Sequence, residues 1–248
     1  MGMPDCSCWP RHGASRLRVM STSAHSHEST GGFPAMGDLH AVNIALAGKK
    51  PEYIAAWALE RAARPMVTTS FGVHSAAMLY LASRLRSDVP VVWVDTGFNT
   101  PDTYRHAELL SRALKLDLRV YAPDLTRARL EAALGGIPAP EDSTRHQTFS
   151  VDVKLRPFER ALAEIKPDVW LTGIRAEETN WRRQQATVTR GPNGILKVAP
   201  FFAVSEAEVE TYMRRYSLPS GDPLHYDPAK AQPHRECGLH GRWNPAPA

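Results

Sequence analysis

Cysteine is scarce: the 248 residues hold three, Cys6, Cys8 and Cys237. That is too few for a disulfide framework, and Cys6-Ser7-Cys8 has too few ligands to hold a metal or cluster alone. Long apolar runs are missing too. Nothing reaches the ~20 residues of a membrane-spanning helix, and no apolar signal-peptide core follows the N-terminal basic residues. The expected compartment is therefore the cytoplasm, with no membrane contact. Charge of one sign is also in short supply. A formal net charge of +4 and a pI near 9.0 suit an anionic small substrate but do not argue for nucleic acid. What is present, 43% hydrophobic and 23% charged residues, is the composition of one globular domain with tails.

Residues 1–40 are rich in Ser, His, Gly and Arg without apolar periodicity, and read as a disordered leader in which Met20 or Met36 is an alternative start. A transit peptide, argued from Arg11, Arg16 and Arg18, is the weaker reading, and Cys6 stands where a myristoylation signal needs Ser or Thr. From Pro51 the pattern changes. Pro51 opens a helix with Ile54, Trp57 and Ala58 on one face. Apolar runs of β type follow at Met66–Thr69, Val89–Val94, Leu116–Tyr121, Val169–Thr172 and Ile195–Val198. Several are continuous rather than alternating, as in strands buried on both faces, so a parallel sheet covered by helices is expected.

The intervening helices carry start signals. Thr100-Pro101 is an N-cap followed by Pro at the first helical position, and Ser205 to Glu208 is a capping box ahead of Val209, Tyr212, Met213 and Tyr216. Pro157 opens a helix with Phe158, Leu162 and Ile165 inward and Lys154, Arg156 and Arg160 near its start and polar flank. After Leu218 the chain is rich in Pro, Gly and His, without a helix or strand signal.

Four stretches carry chemistry. Ser70-Phe71-Gly72-Val73-His74-Ser75 joins the first strand to a helix, where backbone N–H groups favour an anion, although a plain tight turn explains it equally well. Asp95-Thr96-Gly97 sits beyond the second strand, in the crevice where doubly wound sheets bind ligands. The run from Gly173 through Arg175 to Arg182 and Arg183 lies at another strand end, and with Lys154 and Lys197 it offers forked hydrogen bonds to sulfate or phosphate. The bland alternatives are a polar turn and a solvated basic loop. Cys237, bracketed by His234 and His240, has three readings: a zinc site with His225 as fourth ligand, an inert tail, or a nucleophile. The last fits best, because Arg235 and a protonated His favour the thiolate and Gly238 gives access.

Together these residues resemble the phosphoadenylyl-sulfate (PAPS) and adenylyl-sulfate (APS) reductases of the PP-loop superfamily, from about Met66 to His240. The markers are Ser70-Phe71-Gly72, Asp95-Thr96-Gly97 with Pro101-Asp102-Thr103-Tyr104, Lys154 to Leu162, Gly173-Ile174-Arg175 to Arg182, Lys197-Val198-Ala199-Pro200, and Glu236-Cys237-Gly238-Leu239-His240. The resemblance implies an α/β fold of three layers, a mostly parallel twisted sheet with helices on both faces. Its nucleotide-binding domain would span residues 41–224, with a flexible catalytic tail at 225–248. It implies Cys237 as nucleophile alongside Glu236 and His240. Substrate contacts would come from Ser70, Phe71, Gly72, Ser75, Asp95, Thr96, Gly97 and Gly173, with Lys154, Arg175, Arg182, Lys197 and Arg235 as the cationic ones. The implied partners are a sulfonucleotide and thioredoxin or glutaredoxin as reductant, in assimilatory sulfate reduction. A homodimer is compatible with the sequence.

A 4Fe–4S cluster is excluded on ligand count, since the paired cysteines of cluster-containing members are missing and Phe149-Ser150 occupies one pair's place. That favours PAPS as substrate over the APS of a cluster-free APS reductase. The family's Gly-Tyr-x-Ser-Ile/Val-Gly segment is missing too, so Pro223-Leu224-His225-Tyr226-Asp227 runs almost directly to His234. This bears on how Cys237 reaches the nucleotide. Two rival readings are an adenylating PP-loop enzyme, from Ser70-x-Gly-x-x-Ser75, and a non-catalytic nucleotide-binding paralogue.

Overall fold

The apolar runs become strands of one sheet in a computed structural model that describes residues 38–230. The five runs give β1 (Pro65–Thr69), β2 (Pro90–Val94), β3 (Asp117–Tyr121), β4 (Val169–Leu171) and β6 (Leu196–Val198), and a sixth strand, β5 (Val188–Arg190), joins them. Their order is β3-β2-β1-β4-β6-β5, with every pairing parallel except β5 with β6. The continuous apolar character has the expected cause. Val67, Val91, Val169 and Leu171 point into one buried cluster, while Met66, Val92 and Trp170 point into another on the opposite face.

Helices supply both covers. On one face lie α1 (Asp38–Leu46), α2 (Pro51–Glu60), α3 (Ser75–Leu85), α4 (Pro101–Leu114) and α9 (Glu206–Arg215). On the other, α7 (Arg156–Ile165) sets Phe158 against Trp170 with ring centroids 5.0 Å apart. Each such buried aromatic contributes about 1.5–3 kcal/mol of burial. The expected caps form: Thr100 Oγ1 accepts from Thr103 N at 3.1 Å, and Ser205 and Glu208 close the capping box. In α2, Ile54 and Ala58 are buried and Trp57 half-buried.

Several elements differ from the sequence expectation. The helix expected to open at Pro157 is the end of a longer run: α6 (Ser143–Ser150), capped by Asp142, passes through a π-helical segment, Val151–Leu155, into α7. The Arg156 N–H reaches back to Val151 O, and this wider turn admits Pro157, whose ring nitrogen cannot donate. Lys154 therefore lies in the widened turn and is buried, not on a polar flank. β5 is short and polar and exists because β6 offers it a ladder; α5 (Arg127–Leu134) carried no start signal strong enough to read. Helix α1 begins at Asp38, inside the span assigned to the leader, and residues 225–230 pack on the sheet domain, so its boundary lies beyond 224. The rest of the leader and the tail from 231 lie outside the described residues.

Candidate active site

The strand order fixes where a crevice must open. From β1 the chain moves outward through β2 and β3, then returns to lay β4 on β1's other side. The connections leaving β1 and β4 therefore diverge, and a cleft forms beyond their C-terminal ends. It is a cavity of about 810 Å³, within the usual range for cofactor-sized ligands. Thr69 and Ser70 at the end of β1 and Thr172 and Gly173 just after β4 line it.

One wall is the loop from Ser70 and the first turn of α3. Phe71 adopts a left-handed φ of 52°, and its N–H donates to Thr69 Oγ1 at 3.0 Å. Its ring is fully buried, edge-on to Trp93 at 5.0 Å and near His106 at 6.5 Å. Phe71 thus anchors the loop from beneath and does not line the cavity, whereas Ser70, Gly72 and Ser75 do.

The opposite walls are cationic. Lys154 (8% exposed), Arg175 (6%) and Arg182 (5%) all line the cavity. Buried cations need partners, and each has one. Arg175 Nη1 donates to Glu177 Oε1 at 3.0 Å, Arg182 pairs with Glu178, and Lys154 pairs with Asp227. Glu178 also accepts from the Arg175 N–H at 2.9 Å, which fixes the loop after β4, while Thr179 caps α8 (Asn180–Arg183).

Residues 218–230 form a strap across the strand ends. Gly221 N donates to Val73 O at 2.9 Å, and Asp222 accepts from Thr100 Oγ1. His225 packs on Gly72, its Nδ1 3.3 Å from Thr103 Oγ1. Farther on, His146 Nε2 lies 3.1 Å from Pro228 O, and Ala229 is buried beside Phe158. The strap leaves the described structure at Lys230, on the cavity wall. Burial holds His225 below its ordinary pKa, and burial with the neighbouring His225 does the same to His106. His74 is also lowered, by burial and then Arg175. All three imidazoles favour the neutral form.

The remaining sequence candidates stand elsewhere. Asp95, Thr96 and Gly97 form the turn after β2, outside the cavity wall. Asp95 accepts from the Gly97 N–H (3.0 Å), Asn99 Nδ2 (2.8 Å) and Tyr104 OH (2.8 Å), while Gly97 supplies a φ of 79°. Burial and that bond to Asp95 push the Tyr104 phenol up to about 12. Lys197 is buried over the Trp170 ring at 5.2 Å and does not line the cavity. Arg235, Glu236, Cys237 and His240 lie outside the described residues. Sequence reasoning missed His74, Glu178, Asp227 and Lys230 as cavity residues and considered His225 only as a zinc ligand. The strap's lack of periodicity hid His225, Asp227 and Lys230, whereas His74 and Glu178 stand inside stretches that were singled out for their backbone N–H groups and arginines instead. Among the described residues, His74, Glu206 and Glu210 bring potential metal ligands within 4.8 Å of one another, but both carboxylates are exposed and no ion is implied.

Residues 64–227 match the sequence profile of the phosphoadenosine phosphosulfate reductase domain. A phosphoadenosine 5′-phosphosulfate reductase of a Synechococcus species is 31% identical over 222 residues, covering 80% of this chain and 95% of that protein. One from Xylella fastidiosa is 34% identical over 189 residues, covering 75% and 78%. Among solved structures, the phosphate complex of a PAPS reductase from Candida auris superposes with a TM-score of 0.67 at 22% identity, covering 77% of this chain and 92% of that one. That likeness establishes the shared mostly parallel fold. Among the described residues, no helix is long and apolar enough to cross a membrane.

Proposed function

Because the chain belongs to the phosphoadenosine phosphosulfate reductase family, we propose that it reduces 3′-phosphoadenylyl sulfate to sulfite and adenosine 3′,5′-bisphosphate. The observation that carries this reading is the cleft beyond β1 and β4, walled by three buried cations, with the Cys237-bearing tail departing from its edge. Ser70, Gly72 and the start of α3 suit one phosphate of the nucleotide, and Arg175, Arg182 and Lys154 suit its other phosphate oxygens and the sulfonate. The missing family segment is no obstacle to delivery. Cys237 lies seven residues beyond Lys230, a reach of at most about 25 Å from the cavity wall.

The chemistry is covalent catalysis in two displacements. The Cys237 thiolate attacks the sulfonate sulfur; the bond from that sulfur to the phosphate oxygen breaks, and the bisphosphate leaves with the electron pair. The resulting S-sulfonate is attacked at Cys237 Sγ by a thiolate of thioredoxin or glutaredoxin, which expels sulfite. The partner's second thiol resolves the mixed disulfide, so the two electrons come from the dithiol and Cys237 returns to the thiol. Such a cycle serves assimilatory sulfate reduction. Intact-mass measurement after mixing with the sulfonucleotide, without reductant, should find a sulfonate adduct on Cys237. Cys237→Ser should bind the nucleotide but form no adduct and release no sulfite. Sulfite release by that variant at the wild-type rate would refute the assignment.

A further inference from the structure

Each buried cation of the cleft already has a carboxylate partner, so an incoming anion must compete for it, and the three pairs differ in what competition entails. Glu177 and Glu178 have side chains 43% and 33% exposed, so water can solvate them when an anion takes their arginines, Glu178 keeping its bond from the Arg175 N–H. Asp227 cannot. Its side chain is 11% exposed, and its Oδ1 also accepts from the Ala229 N–H at 3.1 Å. The residues that follow are fixed: Pro228 O meets His146, and Ala229 sits in the apolar cluster beside Phe158. Burial alone would raise the Asp227 pKa, but the pairing with Lys154, supported by nearby Lys230 and the Ala229 N–H, overrides it, so the carboxyl is ionised. Losing its hydrogen-bonded Lys154 would leave that buried carboxylate only the more distant charge of Lys230, and it is destabilised accordingly.

We propose that Asp227 is a positioning residue that exchanges Lys154 with the substrate, so that filling the cleft releases the end of the strap from which the Cys237 tail departs. This rests on the cleft being the sulfonucleotide site. When the anion recruits Lys154, Asp227 must turn outward, and only movement of the 227–230 backbone allows that. Gly221 and Asp222, bonded to Val73 and Thr100, take no part in the exchange and hold the near end in place. Occupancy is thereby linked to the freedom of the segment carrying the nucleophile, because the nucleotide binds more tightly to the state in which Lys154 has left Asp227.

The amides of Ala229 and Lys230 report on Asp227, since the first donates to its carboxylate and the second to its carbonyl. Hydrogen exchange in the wild-type full chain should quicken at both amides on saturation with adenosine 3′,5′-bisphosphate, while Gly221 stays protected. In a calorimetric titration Asp227→Asn should bind the bisphosphate more tightly, on the order of tenfold, because no buried carboxylate has to be stranded. Slower exchange at Ala229 and Lys230 on binding, or weaker binding by Asp227→Asn, would overturn the inference, since both would mean that Asp227 and the anion share Lys154. The exchange measurement needs no variant and stands even if Asp227→Asn folds poorly. A wild-type chain that binds no bisphosphate would overturn the cleft assignment and this inference together. Binding without loosening overturns this inference alone.

Discussion

Gly221 makes the closest approach in the site. A Cβ there would sit 2.5 Å from Gly72 O and 2.8 Å from its carbonyl carbon, and backbone cannot step aside as a flexible side chain does. Gly221→Ala should therefore cost about 1–3 kcal/mol in urea unfolding. Gly72→Ala is the control, because its Cβ would meet the His225 ring at an ordinary 3.5 Å and stability should hold. Equal losses in the two would show that the close approach is not the cause. At this scale, legibility followed position along the chain. Ser70, Gly173 and Arg175 were readable because each follows a strand, and strand ends are where such sheets bind. Phe71 was not, because a sequence gives neighbours and not directions: its left-handed backbone turns the ring under the loop. Asp227 was invisible because its meaning lies in Lys154, 73 positions earlier.

Among the elements, the clearest unforeseen arrangement is the pairing of α1 with β5. Asn43 on α1 donates from Nδ2 to Val188 O and accepts from Val188 N–H at Oδ1, both at 2.9 Å, so a side chain completes the edge of the sheet as another strand would. Asn43→Ala should leave both Val188 groups unpaired beside a buried residue and cost about 1–3 kcal/mol. Equilibrium denaturation measures it, and an unchanged midpoint would show that water replaces the amide without loss. The long apolar strands and capped helices were legible because their signals are local. β5 was not, since its three residues, Val188–Arg190, become a strand only through contact with β6 and α1. The π-helical segment was equally hidden: Pro157 marks a helix start by rule, yet here the preceding turn widens to accommodate it.

For the molecule as a whole, the imidazoles set an acid limit. His74, His106 and His225 all have folded pKa values below the ordinary 6.5, so the unfolded chain binds more protons than the folded one as pH falls through that value. Stability is then full above about 6.5 and is lost progressively below it. Asp227, lowered from 3.8, contributes stability that is lost only at lower pH, outside this window. Scanning calorimetry should find a lower Tm at pH 5.5 than at pH 7.5, with a shallower decline in a His106→Gln, His225→Gln double variant. An identical decline in the variant would assign the effect to other groups. The fold class was legible at this scale, since doubly buried strands alternating with helices admit few topologies. The closing of the cleft by residues 218–230 was not, because it depends on contacts as far apart as Ser220 and Val73, 147 positions away.

The place where the strap ends also has a kinetic meaning. A thiol tethered seven residues from Lys230 is confined to a sphere about 25 Å in radius centred on the cavity wall, an effective concentration on the order of 10 mM. The proposed nucleophile therefore needs no affinity of its own for the nucleotide. The reductant arrives from dilute solution without such a tether, so the second displacement, not the first, is the step whose rate follows the concentration of a partner protein.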